Sequence, residues 1–251
     1  MARRATTIKG LRASASSSLL LDAGNSLYNA EGSTTEPAER TRGQTSVEVL
    51  NRLGYDAVAL GDKDLLLTKE ELLKRISEAK SFAFVSANLI DRSTGKLVVK
   101  PYVIKEMAGH KVALIGITGG ASTGDWIVTP PLDAARDYVR QVQSQADVVI
   151  LLSNAGPKLN KLIASEAPGI DVILSGGTND PLGKETLIGK TLVAQDEWSN
   201  PGHAGRYVGH LRVSLDRAGD LTGHEWKAIE LGPSVADDPD MAAWVATLLT
   251  Q

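Results

Sequence analysis

The segment that decides the fold is YDAVALGDKDLLL, residues 55–67. A short apolar run ends there at Gly61, and the chain then turns through Asp62, Lys63 and Asp64. Short apolar runs bounded by glycine are typical of buried strands. Open α/β sheets place functional groups just past the carboxyl ends of such strands. The segment therefore predicts an α/β fold with a candidate site at this strand end.

Three other apolar runs end in the same way. LLLDAGN ends at Asn25, VVILLSN ends at Asn154, and DVILSGGTND ends in two glycines followed by Thr178, Asn179 and Asp180. Because the carboxyl ends of parallel strands lie at one edge of a sheet, these strand ends should converge on one rim. We predict that the rim binds a ligand.

Composition excludes several classes of function. The chain has 251 residues, of which 42% are hydrophobic and 23% charged, with a net charge of −3, as in ordinary globular domains. No Lys/Arg run stands out, so nucleic acid is not expected as a partner. The absence of cysteine excludes disulfides, thiolate ligands and cysteine nucleophiles. No apolar run approaches the ~18 residues of a membrane span, and the basic N-terminus is not followed by the apolar segment of a signal peptide.

The remaining pattern alternates strands and helices. Helices are predicted over residues 2–13, 39–53, 68–80, 130–145, 157–166 and 240–249, with a capping box starting at Thr68. Strands are predicted over residues 19–22, 56–60, 82–90, 102–107, 111–117, 148–152 and 170–174. Antiparallel strands are predicted over residues 191–195, 206–215 and 221–229. We predict one domain, residues 1–251, built as a four-layer α/β/β/α sandwich, with residues 237–251 forming a linker-like C-terminal helix.

Seven sequence blocks occur in the order seen in one family. They are LLLDAGN, LNRLGYDAVALGDKD, FAFVSANLID, KPYVIKEMAGHKVALIGIT, DVVILLSN, PGIDVILSGGTNDP and LVAQDEWSNPGHAGRYVGHLRVSLD. From about residue 3 to residue 230, the chain resembles the catalytic domain of the calcineurin-like metallophosphoesterases, in the 5′-nucleotidase / UDP-sugar hydrolase branch. The resemblance implies the same sandwich fold, two divalent metals at the strand ends and hydrolysis of phosphate esters.

The metal-binding motifs of that family are degenerate in this chain. Family members carry Asp-x-His on the first strand, then Gly-Asp, Gly-Asn-His-Glu, Ser/Thr-His and Gly-His-x-His or Gly-His-x-Gln. Here the chain starts at the helix that follows the first strand, so Asp-x-His is absent. The other motifs fall on Gly24-Asn25, Gly61-Asp62-Lys63-Asp64, Ser153-Asn154, and Gly177 with Asn179. Lys63 therefore stands where the family has its catalytic histidine.

These replacements argue against catalysis. Phosphate monoesters require accelerations of up to ~10²¹, and paired metals contribute by lowering the pKa of bound water from ~15.7 to ~7. Amide oxygens are neutral, weak ligands, and a cation at Lys63 repels a metal. The simpler interpretation of Lys63 is that it pairs with Asp62 or Asp64 on a solvated loop. We predict a non-catalytic binding or structural module without a cofactor. Its predicted ligand-binding residues are Asn25, Asp62, Asn154, Asn179, Asp180 and His203; Asp62, Lys63 and Asp64 are weak catalytic candidates.

The alternative is a metal-dependent phosphohydrolase with a remodelled site. Asp62, Asp64, Asp180 and Asn25 would then hold a hard cation such as Mg²⁺ or Mn²⁺ through oxygen atoms. In either case the missing first strand leaves an open sheet position, which a protein partner or self-association would complete. Relatives of this branch are commonly exported, so the resemblance favours the periplasm or cell surface.

Overall fold

The computed structural model describes residues 1–28, 37–177, 185–195 and 205–249. Its helices are α1 (Ala2–Ala13), α2 (Pro37–Arg40), α3 (Gln44–Leu53), α4 (Lys69–Ser77), α5 (Pro131–Val142), α6 (Pro157–Glu166) and α7 (Pro239–Leu249). Its strands are β1 (Leu21–Asp22), β2 (Ala57–Ala59), β3 (Ala83–Val85), β4 (Leu89–Asp91), β5 (Lys96–Leu97), β6 (Tyr102–Met107), β7 (His110–Ile117), β8 (Trp126–Val128), β9 (Val148–Ser153), β10 (Val172–Ser175), β11 (Thr186–Ile188), β12 (Thr191–Ala194), β13 (Tyr207–Leu215) and β14 (Leu221–Glu230).

Two sheets form the centre of the molecule. Sheet I is parallel, with the order β1-β2-β3. Sheet II has the order β11-β12-β10-β9-β7-β6; its inner strands are parallel and both edge strands are antiparallel to their neighbours. A hairpin of β13 and β14 and a small sheet, β5-β4-β8, complete the described strands. The predicted α/β class is confirmed.

The buried residues form three layers of core between four layers of structure. On β2, Val58 packs towards the helices α1, α3 and α4, whereas Ala57 and Ala59 face sheet II. This follows from the two-residue period of a strand. On the far side of sheet II, residues such as Ile115 pack under α5 and α6. The arrangement places the carboxyl ends of β1, β2, β9 and β10 at one edge.

Local sequence signals behave as predicted around β2. Gly54 ends α3 in the left-handed region, with φ of 68°. Thr68 caps α4: its hydroxyl accepts a hydrogen bond from the backbone N–H of Glu71, and the Glu71 side chain accepts one from the N–H of Thr68. The Gly54 cap ends α3 just before β2, and the Thr68 cap begins α4 just after the turn that forms the rim.

Two sequence predictions about single elements are wrong. The predicted helix over 39–53 is divided into α2 and α3 by a turn in which Arg42 has a positive φ of 49°. The predicted strand over 82–90 is broken into β3 and β4, which belong to different sheets. Asn88 lies in the break, and its buried side chain donates to the backbone oxygens of Thr118 and Thr129.

The pairing predicted after residue 190 is also wrong in part. Strand β12 pairs parallel with β10 and antiparallel only with β11, a strand that the sequence pattern did not predict. Its four residues are all buried, as expected of an inner parallel strand. The antiparallel pairing of β13 with β14 is confirmed.

Helix α7 packs against α1. Met241 is buried there, and Asp238, just before the helix, pairs with Lys9 of α1. Among the described residues, no helix has both the length and the apolar character needed to cross a bilayer.

Candidate functional site

Five of the predicted site residues meet at the rim. They are Asn25, Asp62, Lys63, Asp64 and Asn154, which are joined by hydrogen bonds. Asn179, Asp180 and His203 lie outside the described residues. The predicted convergence of strand ends therefore holds for these five residues, and their role as a binding site stays a prediction.

Asn25 ties the end of β1 to the turn after β2. Its Nδ2 donates to Oδ1 of Asp62 at 2.9 Å, and its Oδ1 accepts from the backbone N–H of Lys63 at 2.9 Å. Its backbone has a positive φ of 65°, a conformation that asparagine tolerates better than most residues. Both polar atoms of the side chain are thus used within the protein.

Asp64 is an internal anchor and not a surface carboxylate. It is 0% exposed, and its oxygens accept hydrogen bonds from the backbone N–H groups of Gly61 at 2.8 Å, Leu27 at 3.0 Å and Asn25 at 3.1 Å. The sequence also allowed Lys63 to pair with Asp62 or Asp64 on a solvated loop, and the burial of Asp64 contradicts that alternative for Asp64. Burial raises the pKa of Asp64 to about 7, while the three N–H donors act in the opposite direction.

Asn154 joins sheet II to the same network. The residue is 2% exposed, and its Oδ1 accepts from the backbone N–H of Asp62 at 3.0 Å. This donor fixes the orientation of the amide, because a reversed amide would place two N–H groups face to face. Its Nδ2 is buried and has no hydrogen-bond acceptor among the described residues.

Glycines allow the backbone to close tightly around these amides. A Cβ atom at Gly61 would lie 2.0 Å from Oδ1 of Asn25, and one at Gly177 would lie 2.0 Å from the backbone oxygen of Asn154. Sequence reasoning did not assign a role to these glycines. The available signal was that a glycine lies just before or just after each predicted strand end.

The rim opens into a cavity of about 1000 Å³. Asn25, Lys63 and Gly177 line it at the rim, and it continues between β1 and β13. A second cavity of about 540 Å³ lies by the turn between β6 and β7 and the segment that leads into β9. That cavity is at the amino ends of the sheet II strands and so is remote from the rim.

Comparison with known proteins finds sequence relatives and solved structures that are similar to this chain over nearly its whole length. No family model matches the chain. The snake venom 5′-nucleotidase of Gloydius brevicauda is 30% identical over 278 residues, which cover 100% of this chain and 46% of that protein. A 5′-nucleotidase precursor from Thermus thermophilus shares the fold with a TM-score of 0.85 at 24% identity, covering 99% of this chain and 52% of that one. The calcineurin-like phosphoesterase YfkN of Bacillus subtilis has a TM-score of 0.78 at 19% identity, covering 100% of this chain and 89% of that one.

The sequence relatives of this chain are 5′-nucleotidases and a metallophosphoesterase, and its structural neighbours share the fold of the N-terminal catalytic domain of such proteins. Its sequence relatives include 5′-nucleotidases, so the predicted resemblance is confirmed. The chain spans less than half of the length of these curated relatives.

The prediction that the domain has no cofactor is wrong. The relatives of this chain are metal-dependent phosphoesterases, so the predicted absence of a metal is unsupported. The prediction was based on histidines missing at individual motif positions, whereas the similarity to metal-dependent relatives extends along the chain. Whether the chain's own residues fit such ions is a separate structural question.

The described rim residues do not fit a two-metal centre. The oxygens of Asp64 face three backbone N–H groups, and the Oδ1 atoms of Asn25 and Asn154 each face one. Oxygens held in this way are directed at donors and not at a cation. Within the described ranges, no three His, Cys, Asp or Glu side chains are grouped so that they could hold a metal ion.

Proposed function

We propose that this nucleotidase-like domain is non-catalytic and acts as a binding module, with the rim serving as a structural junction between the two sheets. The observation that carries the proposal is the hydrogen bonding of Asp64. A carboxylate that accepts from Gly61, Leu27 and Asn25 while fully buried has no oxygen directed at a substrate or at an ion.

The asparagines support the same proposal. General acid–base chemistry requires a group that changes protonation near the working pH, and an amide side chain does not do so. Asn25 and Asn154 occupy two strand ends as hydrogen-bonding links, with Asp62 bonded to both of them. A rim of this kind stabilises the junction of sheets I and II without activating water.

The cavity beside the rim supports the binding role. It is large enough for a ligand, since typical ligand pockets measure about 300–1000 Å³, and the rim contributes Asn25 and Lys63 to its lining. The buried Nδ2 of Asn154, with no acceptor among the described residues, is a donor at the same junction.

Turnover measurements test this proposal. The protein is incubated with AMP and p-nitrophenyl phosphate in separate Mg²⁺, Mn²⁺ and Zn²⁺ buffers, and released phosphate or nitrophenol is measured. We expect no release above that of a protein-free control. Release that is proportional to protein concentration, is abolished by Asp62→Ala and is unchanged by Asp133→Ala on the exposed face of α5 would contradict the proposal and support the remodelled phosphohydrolase.

A further inference from the structure

The cavity beside the rim has an apolar wall on sheet II that the protein leaves uncovered. Ile150 and Leu174 lie on the face of sheet II that is turned towards sheet I, and both line the cavity. Leu152, on the same face, is 0% exposed, whereas Ile150 and Leu174 are only partly buried. Uncovered apolar side chains in a concave site favour a ligand with an apolar surface.

The hairpin of β13 and β14 supplies a second apolar wall. Leu211 and Trp226 are cross-strand partners, so their side chains lie on the same face of the hairpin. Val213 shares this face because of the two-residue period of a strand. All three residues line the cavity, and Val213 is 36% exposed. The hairpin therefore contributes apolar surface to the same space as sheet II.

Helix α1 lines the cavity with a face that carries both a charge and apolar groups. Arg4, Ile8 and Leu11 follow the i, i+4, i+7 spacing of one helix face, and all three line the cavity. At a rise of about 1.5 Å per residue, Arg4 and Leu11 are separated by about 10 Å along the helix axis. The helix therefore presents a cation at one end of this face and an apolar surface beyond it.

The three arginines of α1 differ in their partners. Arg3 and Arg12 each lie within 4.0 Å of an aspartate carboxylate, at 3.8 and 4.0 Å respectively. Arg4 donates from Nη2 to the backbone oxygen of Tyr207 at 3.0 Å, and within the described ranges it forms no ion pair with a carboxylate. Its Nε is buried and has no hydrogen-bond acceptor in the same ranges. A guanidinium without a counter-ion at the border of a cavity favours an anionic ligand.

The charge of the whole lining favours an anion as well. The described residues that line the cavity include two acidic side chains and four that are always or usually cationic at pH 7, namely Asp22, Asp171, Arg4, Arg12, Lys63 and Arg212. The lining is thus net positive, although the chain as a whole has a net charge of −3. Positive charge concentrated in a concave site attracts anions.

We propose that the cavity binds an amphipathic carboxylate of the fatty-acid class, an inference that rests on the binding role proposed above. The carboxylate accepts hydrogen bonds from the guanidinium of Arg4, and the alkyl chain lies against Leu11, Leu174 and the hairpin pair Leu211 and Trp226. The cavity of about 1000 Å³ lies at the upper end of the usual range for ligand sites, about 300–1000 Å³, so it accommodates a flexible chain.

The two apolar walls favour an alkyl chain over a nucleotide. The base and ribose of a nucleotide carry several hydrogen-bonding groups, and those placed against Ile150, Leu174 and Val213 would lose water without gaining partners. Burying polar groups without partners costs free energy. An alkyl chain with one terminal carboxylate has only that group to satisfy, and Arg4 provides the donor.

Calorimetric titration with octanoate, decanoate and dodecanoate, each below its micelle concentration, tests the ligand class. Each additional pair of CH₂ groups that enters the cavity should lower the Kd by about tenfold or more. Decanol has the same chain as decanoate without the charge, and it should bind about tenfold or more weakly. The proposal is overturned if none of the three carboxylates binds, if the Kd does not depend on chain length, or if decanol binds as tightly as decanoate.

Matched variants locate the two ends of the ligand. Arg4→Gln should weaken decanoate binding by about tenfold or more and leave decanol binding unchanged, whereas Arg3→Gln on the same helix should change neither. Leu174→Trp fills the cavity and should weaken both ligands, with Leu162→Trp on the exposed surface of α6 as its control. Val213→Asp, at a half-exposed position of the hairpin wall, blocks the site in the same way if Leu174→Trp does not fold.

The variants also decide against the proposal in defined ways. Equal losses of decanoate and decanol in Arg4→Gln would assign Arg4 a structural role, and unchanged affinity in a folded blocking variant would place the ligand elsewhere; either result overturns the proposal. The turnover assay is read separately. Absence of turnover together with absence of carboxylate binding overturns this inference alone, whereas turnover in a protein that binds decanoate through Arg4 contradicts only the non-catalytic role.

Discussion

The rim and the slot, which is the space between residues 19–25 and strand β13, are adjacent parts of one cavity, but their polar groups differ in whether they have partners within the fold. At the rim, Asp64, Asn25 and Asn154 accept hydrogen bonds from the backbone of neighbouring loops. In the slot, the peptide groups of Leu19 and Leu21 face a space that no described strand fills. Buried polar groups require partners. The rim therefore satisfies its polar groups from within the fold, whereas Leu19 and Leu21 line an open cavity.

The largest expected effect comes from breaking the rim. Gly61→Ala would place a Cβ 2.0 Å from Oδ1 of Asn25 and 2.5 Å from its backbone nitrogen, so the junction must open. We expect the free energy of unfolding, measured in urea, to fall by about 3 kcal/mol or more. Gly10→Ala makes the same chemical change in α1, where nothing lies within 4 Å of the new atom, and should stabilise slightly. Equal effects of the two variants would show that the rim is not tightly closed.

The buried carboxyl of Asp64 predicts a pH dependence. Its pKa is about 7 in the folded protein against an ordinary value of 3.8, so between these values only the folded state keeps the proton. Its contribution to stability is complete below about pH 4 and is lost as the pH rises through 7. We expect the free energy of unfolding to fall by about 2–3 kcal/mol between pH 5 and pH 7.5.

Matched variants isolate that contribution. Asp64→Asn cannot titrate and should flatten the pH profile, although it lowers stability overall because the amide nitrogen faces backbone donors. Asp133→Asn, on the exposed face of α5, should leave the slope unchanged. A slope that persists undiminished in Asp64→Asn would assign the pH dependence to another group.

Two leucines in sheet II allow the stability of a closed core position to be compared with that of a position lining the slot. Leu152 and Leu174 are register partners in sheet II, but Leu152 is 0% exposed and Leu174 lines the open slot. Leu152→Ala should cost about 3 kcal/mol because it leaves a cavity. Leu174→Ala should cost about 1 kcal/mol, since its side chain is only partly buried. Urea denaturation of both variants measures the difference, and similar losses would mean that the slot is closed in solution.

The sequence predicts which side chains meet at the rim, but not their roles. Apolar runs that end in polar residues locate Asn25, Asp62 and Asn154, because that rule depends only on strand direction. The role of Asp64 depends on the loop after β1, since the N–H groups of Asn25 and Leu27 cover its carboxylate. A contact across 37 or more residues leaves no local pattern in the sequence.

The pairing of strands shows the same limit. Helical periodicity and the capping box at Thr68 are local, and they are predicted correctly. The parallel pairing of β12 with β10 depends on the chain passing back beside β10, which the short apolar run at residues 191–195 does not reveal. The cavity that residues 19–25 and β13 line together is visible only in the structure.

The attachments of α1 have a consequence for how the hairpin can evolve. Arg4 and Arg3 bind the hairpin side through the backbone oxygens of Tyr207 and Leu231, and Arg12 binds the other side through those of Leu53 and Gly54. A main-chain carbonyl is present whatever side chain its residue carries. Substitutions along β13 can therefore change the lining of the cavity while the attachments of α1 to the main chain are preserved.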